Sequence, residues 1–385
     1  MKEKIILFLF FFGLLVTFPN VESVWATKDS EDPWLVKAPM HEARSNFGVA
    51  VVDGKIYAIG GALGGSNISS TNEMYDPVAD MWTFKRSMPT ARAGFAVAVY
   101  QDKIYCIGGS TPAENGTSNI VIGKVEVYDP VSDNWVTITS LPTPRIHLQA
   151  NVVNDKIYVT GGRTYDIGFP DLFPYSNLTE VYDPISDSWD SVAQMPNETS
   201  AFSSVVVDDK LYVVGGQSIR IYDPEIDGWS LGAPSPLTAV YAFTGATTGI
   251  YSPKRIYVFG ADASQNGLWP ITLKNYTAQS YDPQTNKWTV RTSMPTKRMF
   301  SSVAILNDKL YVIGGVTREP RVDRFYPSTP RSSINEQYDP TKDVIIENIP
   351  EIPSWIILPL FLTATLVIVF FRKSLKKRIK SGNYL

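Results

Sequence analysis

The chain of 385 residues holds one cysteine, Cys106, and two histidines, His41 and His147. A lone thiol excludes an internal disulfide framework, so the fold must rest on its core, which a body of this length can supply. No zinc spacing, phosphate-binding loop or nucleophile elbow appears, and no cofactor or metal is expected. Charged residues are sparse, at 19%, and unevenly placed. Residues 372–385 carry six basic side chains and no acidic one, while residues 1–26 balance at zero, so the overall charge of −3 leaves −9 on the body between them. Such an acidic body suits phosphate backbones badly, and nucleic acid is not an expected partner.

Aromatic residues and turn formers are plentiful instead. Aromatics at 12% and 27 prolines favour strands and turns over helices. Apolar runs stand at both ends. Two lysines precede the run from Ile5 to Val16, with small-residue cleavage options at Ser23 and Ala26, and residues 1–26 read as a secretory signal peptide. The alternative is an N-terminal membrane anchor. From Ile352 to Phe371 twenty residues carry no charge, enough for a hydrocarbon core of about 30 Å. Trp355 marks one interface and the basic cluster the other, so 351–371 reads as a transmembrane helix and 372–385 as a cytoplasmic tail. A single-pass membrane protein with an extracellular body, 27–350, is the expected organisation.

That body repeats itself. MYDPVADMW (74–82) recurs as VYDPVSDNW, VYDPISDSW, IYDPEIDGW and SYDPQTNKW, and a sixth copy, QYDPTKDVI (337–345), has Ile345 in the Trp position. A hairpin ending in Gly-Gly or Gly-Ala precedes each copy, its first Gly at 60, 108, 161, 215, 260 and 314. Each unit reads as four strands, with a short turn of Asp-Gly or Asn-Asp type joining the first two. Gly-Gly suits a strand end crowded by a neighbouring backbone, and Trp suits packing between sheets.

This spacing and signature resemble the kelch repeat, over roughly residues 32–350. The resemblance implies an all-β, six-bladed β-propeller, one blade per unit. The last unit lacks its Trp, yet Trp34 lies six residues before Met40, as Trp82 does before Met88 and Trp288 before Met294. The N-terminal segment is therefore expected to supply the last blade's fourth strand, closing the ring and hiding sheet edges. The alternative is that residues 344–349 close that blade themselves.

In a propeller of this strand order, the second-to-third loops and the blade-to-blade connections share one face. Five Asn-x-Ser/Thr sequons, at Asn67, Asn115, Asn177, Asn197 and Asn275, map to that face as candidate glycosylation sites. Arg44, Arg92, Arg145 and Arg298 recur eleven residues before hairpin lysines, where innermost strands begin. Kelch proteins that bind acidic peptides use arginines in that region, so the resemblance implies an anion-binding ring around the channel mouth. The alternative is a consensus role in pairing with neighbouring acids and carbonyls. Long loops of blades three, five and six add Tyr165, Phe173, Trp269, Arg321, Arg324, Phe325 and Tyr326 as candidate ligand contacts. The same aromatics would also serve to cover the blade tops.

Two kelch-type enzymes offer further resemblances. Galactose-oxidase-like kelch proteins hold copper through two His and a Tyr–Cys crosslink, whereas Cys106 aligns with Ala58, Val159, Val213, Val258 and Val312 as a packing position. A sialic-acid epimerase built of similar blades needs an acid, a base and a carboxylate-binding Arg, for which His41 and Glu42 stand near Arg44. The leading expectation is a cell-surface binding module for a protein or glycan, with that enzyme as the alternative. The tail PEIPSW and its apolar span resemble archaeal Pro-Glu-Phe sorting tails, with Ile352 in place of Phe.

Overall fold

In five units the first strand passes into the second through two consecutive residues with positive φ, the conformation that Asn, Asp and Gly adopt at least cost. These pairs are Asp53–Gly54, Gln101–Asp102, Asn154–Asp155, Asp208–Asp209 and Asn307–Asp308. The computed structural model describes residues 32–343 apart from 65–66, 114–118, 165–173, 200–201, 216–217, 235–239, 264–272 and 318–329. The expected signal peptide, transmembrane helix and tail lie outside these residues.

Among the described residues, six antiparallel four-stranded sheets form the blades. Blade one comprises Gly48–Val52, Lys55–Gly64, Asn67–Asp76 and Met81–Lys85. Blade two comprises Ala96–Tyr100, Lys103–Ile107, Val125–Asp129 and Asn134–Ile138. Blade three comprises Gln149–Val153, Lys156–Thr160, Thr179–Asp183 and Ser188–Ser191. Blade four comprises Ser203–Val207, Lys210–Gly215, Ser218–Asp223 and Gly228–Pro234. Blade five comprises Val240–Thr247, Ile256–Ala263, Leu273–Asp282 and Lys287–Arg291.

Blade six takes three strands from the end of the body, Ser302–Leu306, Lys309–Ile313 and Asn335–Tyr338, and its fourth, Trp34–Lys37, from the beginning. Trp34 stands opposite Tyr338 in this pairing, as Trp82 stands opposite Tyr75 in blade one. The first strands adjoin one another in a closed circle, the first strand of blade six meeting that of blade one. The described residues form a six-bladed, all-β propeller.

Apolar side chains fill each gap between blades. Ala304, Tyr311 and Ile313 of blade six pack against Ile56, Ala58, Tyr75 and Trp82 of blade one. Cys106 lies in the equivalent layer between blades one and two, wholly buried, and burial pushes its thiol up to about 12.

A polar staple at the outer rim explains the repeated motif. The motif tyrosine donates its hydroxyl to the acid five residues on: Tyr75 to Asp80 at 2.5 Å, Tyr128 to Asp133 at 2.5 Å, Tyr182 to Asp187 at 2.6 Å and Tyr222 to Asp227 at 2.8 Å. That carboxylate also accepts a backbone N–H from the chain leaving the previous blade, at Ala38, Arg86, Thr139 and Ala193 respectively. The carbonyl of the same residue accepts the indole N–H of Trp82, Trp135, Trp189 or Trp229. One residue of each blade is thus gripped at both its N–H and its C=O by the next blade. At the seam Thr292 is held in this way by Asp343 and by Trp34, whose indole lies 3.1 Å from the carbonyl.

These staples set a pH window. Donation from the tyrosine hydroxyls holds the Asp80, Asp133 and Asp187 carboxyls below the usual range, and hairpin lysines do the same for Asp223 and for Asp129, which falls to about 2. A depressed carboxyl contributes stability above its unfolded value, near 3.9, and loses it as pH falls through the folded value. Burial raises the tyrosines, Tyr281 to about 12, so their contribution is full below pH about 10 and is lost as the medium becomes more alkaline. The melting temperature should therefore be level from about pH 5 to 9 and fall on both sides. A protein equally stable at about pH 2.5 and pH 7 would contradict the staple's carboxylate role.

Candidate functional site

The chain reaching each innermost strand crosses the top of its own blade, and here four arginines take their places. Arg44, Arg92, Arg145 and Arg298 are wholly buried. Each points its guanidinium into its own sheet. Nη1 donates to the carbonyl of the first Gly of the hairpin, Gly60, Gly108, Gly161 or Gly314, at 2.8–3.2 Å. Nη2 pairs with Glu73, Glu126, Glu180 or Glu336 at 2.6–2.9 Å, and these glutamates are themselves buried. Each glutamate stands two residues before a motif tyrosine. Thr90, Thr143 and Thr296 donate hydroxyls to the carboxylates of blades two, three and six.

This geometry revises the expected anion-binding ring. The four arginines stand four residues before innermost strands, in the segments that lead into them, and their charge is neutralised inside the blades, so none is offered to the channel. Their backbones tie the blades together as well. The N–H of Gly61, Gly109 and Gly315 donates to the carbonyl of the arginine one blade on. A Cβ on Gly60 would lie 2.7 Å from the Arg92 carbonyl, which is why glycine is required there.

Blade one varies the lock. Glu42 replaces the threonine and accepts from Ser69 at 2.6 Å, lying 3.7 Å from Arg44. His41 replaces the proline, its backbone N–H and its Nδ1 each 2.8 Å from Glu73 Oε2, and its ring stacks on Phe84. His41 and Glu42 are thus occupied in completing Glu73's hydrogen bonds.

Two residues beyond the arginines, Asn46, Gly94, His147 and Phe300 all have positive φ. They form a backbone collar. The Asn46 N–H donates to Phe300, that of Gly94 to Asn46, and that of His147 to Gly94. The collar rims a cavity of about 170 Å³ on the propeller axis, with Gln149, Ser203, Ser301 and Ser302 among its polar lining. Burial, with the charge of Arg163 beside it, pushes His147 down to about 4, so its ring is neutral at physiological pH. Among the described residues no group of three or more His, Cys, Asp and Glu side chains is placed to hold a metal ion.

Blades four and five depart from this pattern. Thr199 stands where the arginine would be, and the glutamate position holds Arg220 in blade four and Gln279 in blade five. The sequence carried this signal, two residues before each Tyr-Asp-Pro, but a search for what recurs passes over what deviates. The same search passed over Asp308, a buried carboxylate that accepts backbone N–H groups from Gly249 to Ser252 and fixes the long blade-five hairpin.

Of the sequons, Asn67 and Asn197 are exposed, the first opening a third strand and the second lying in a blade connection. Asn177 is half-buried and donates to Met195 O at 3.3 Å. Asn275 pairs with Asp262 across two strands of blade five. Asn115 and the loop candidates Tyr165, Phe173, Trp269, Arg321, Arg324, Phe325 and Tyr326 lie outside the described residues.

The comparisons agree with this architecture. The Kelch motif matches residues 43–89, 91–142 and 144–196, which are the first three units. Kelch-like protein 25 of Xenopus tropicalis is 28% identical over 238 residues, covering 59% of this chain and 36% of that protein. Kelch-like protein 36 of Bos taurus is 27% identical, covering 69% and 42%. Beta-scruin of Limulus polyphemus is 29% identical, covering 55% and 24%. The chain thus spans less than half the length of these relatives. Among solved structures, that of YjhT superposes with a TM-score of 0.65 at 18% identity, covering 77% of this chain and 95% of the other, a likeness of fold alone. The chain carries kelch repeats.

Proposed function

We propose that this six-bladed kelch propeller is a binding module presented outside the cell, recognising a protein or glycan through the face that carries its long loops. A kelch propeller is typically a protein-interaction module. What carries the reading is a rigid scaffold beneath variable loops: in four blades, buried Arg–Glu locks fix the chain from which that face is built. Such a scaffold lowers the entropic cost of binding through the loops it holds. The signal-like N-terminus and the uncharged run from Ile352 support presentation at a membrane, and the sequons support glycosylation of that same face.

The sugar-epimerase alternative gains nothing from the geometry, because His41 and Glu42 are engaged with Glu73 and Ser69. Full-length protein probed on a glycan and protein array tests the proposal. Arg321→Glu with Arg324→Glu should weaken a specific hit at least about tenfold, while His41→Ala and Glu42→Gln leave it unchanged. Conversion of an acidic sugar anomer above the buffer rate, abolished by those last two substitutions, would overturn it.

A further inference from the structure

With the four arginines turned into their blades, the propeller axis is left to uncharged groups. No Asp, Glu, Lys or Arg lines the axial cavity, and its one titratable side chain, His147, is neutral at physiological pH. The charge beside that ring, Arg163, is not part of the lining and lies over the Tyr175 ring instead. Five polar side chains of the lining, Asn46, His147, Gln149, Ser203 and Ser301, make no hydrogen bond to the protein among the described residues. Ser203 is only 4% exposed. A Cβ on Gly245, which lines the cavity beside it, would lie 2.8 Å from the Ser203 Oγ, so glycine keeps that hydroxyl uncovered.

The backbone of the collar points the same way. Asn46, Gly94, His147 and Phe300 share one position in four blades, with φ from 53° to 64°. Glycine adopts this conformation at least cost, and blade two uses it. A bulky residue there is strained, yet blades three and six hold His and Phe, and blade one holds Asn. Side chains kept against the preference of the backbone are kept for what they do, and all three line the cavity.

We propose that the axial cavity is a binding site for a small uncharged polyol of roughly six to eight heavy atoms. The size follows from its volume of about 170 Å³, slightly more than the roughly 150 Å³ that encloses a benzene-sized molecule. Hydroxyls of such a ligand both donate and accept, as do the amides of Asn46 and Gln149 and the hydroxyls of Ser203 and Ser301. An anion would give up its hydration with no cation in the lining to compensate. This chemistry is the reverse of the acidic ligand that the family resemblance implies, and the site is separate from the loop face.

The test titrates the full-length protein with erythritol, read by saturation-transfer NMR in a phosphocholine detergent, whose headgroup carries no polyol. The wild type should bind with a Kd of about 1 mM or tighter. Sodium glycerate, similar in size but anionic, should bind at least about tenfold more weakly. Gln149→Met keeps the length of the side chain and removes the amide, so erythritol should weaken at least about fivefold. Asn46→Gly should weaken it as much while melting within about 2 °C of the wild type, because glycine suits the positive φ. A wild type that shows no transfer to erythritol at about 20 mM overturns the proposal whether or not the variants fold, and leaves the cavity to water. So does glycerate binding as tightly as erythritol, or an affinity that both variants retain. Arg321→Glu with Arg324→Glu should leave erythritol binding unchanged, so their failure on the array counts against the loop-face reading alone. Loss of erythritol binding in that pair would move the polyol to the loops and overturn the axial site.

Discussion

Replacing Trp34 with alanine should destabilise the propeller by about 3–5 kcal/mol, the range for removing a buried tryptophan, as read from chemical denaturation. Trp34 is 6% exposed and packs edge-on to Phe259 and against Tyr338, with ring centroids 5.6 Å and 4.9 Å away. Its indole also holds the Thr292 carbonyl. Among the described residues no other side chain of the last unit does this work, and the sixth motif has Ile345 where Trp belongs. Loss should exceed that of Trp82→Ala, since Trp82 sits within a blade joined by its own hairpins whereas Trp34 anchors a strand tied to its sheet only by pairing. Leu35→Ala on the same strand is the control. Its side chain is 54% exposed, so its change should stay within about 0.5 kcal/mol. Equal effects at Trp34 and Leu35 would contradict closure by this strand.

The second large effect is expected at the locks. Arg145→Ala leaves the Glu180 carboxylate buried with no cation paired to it among the described residues, and such a break costs about 3–5 kcal/mol. Removing both charges, as Arg145→Met with Glu180→Leu, should recover most of that loss, because the penalty lies in the orphaned charge rather than in the absent bond. A double variant no more stable than Arg145→Ala alone would show that the hydrogen bonds of Arg145 to the Gly161 and Leu178 carbonyls carry the stability instead.

The architecture was legible in the sequence because it is written six times. One motif fixes the strand count per unit, and the misplaced Trp34 gives away the circular closure. The aspartate five residues after a motif tyrosine, asparagine in blade five, was in plain view too, yet its role cannot be read from one repeat. It acts between blades, on the backbone of residues 34 to 51 positions away. The arginines illustrate the opposite error. Their spacing placed them close to the innermost strands, which begin four residues later, but sequence alone does not give side-chain direction. A pairing glutamate 29 to 38 residues on turned each one inward.

Amide hydrogen exchange across residues 34–37 tests the closed ring most directly. Protection there should match that of Met81–Lys85, the corresponding strand of blade one, and should vanish together with that of Asn335–Tyr338 when Trp34 is truncated. Free exchange at residues 34–37, with protection at 344–349 instead, would mean that the chain's end seals the last blade and its beginning does not.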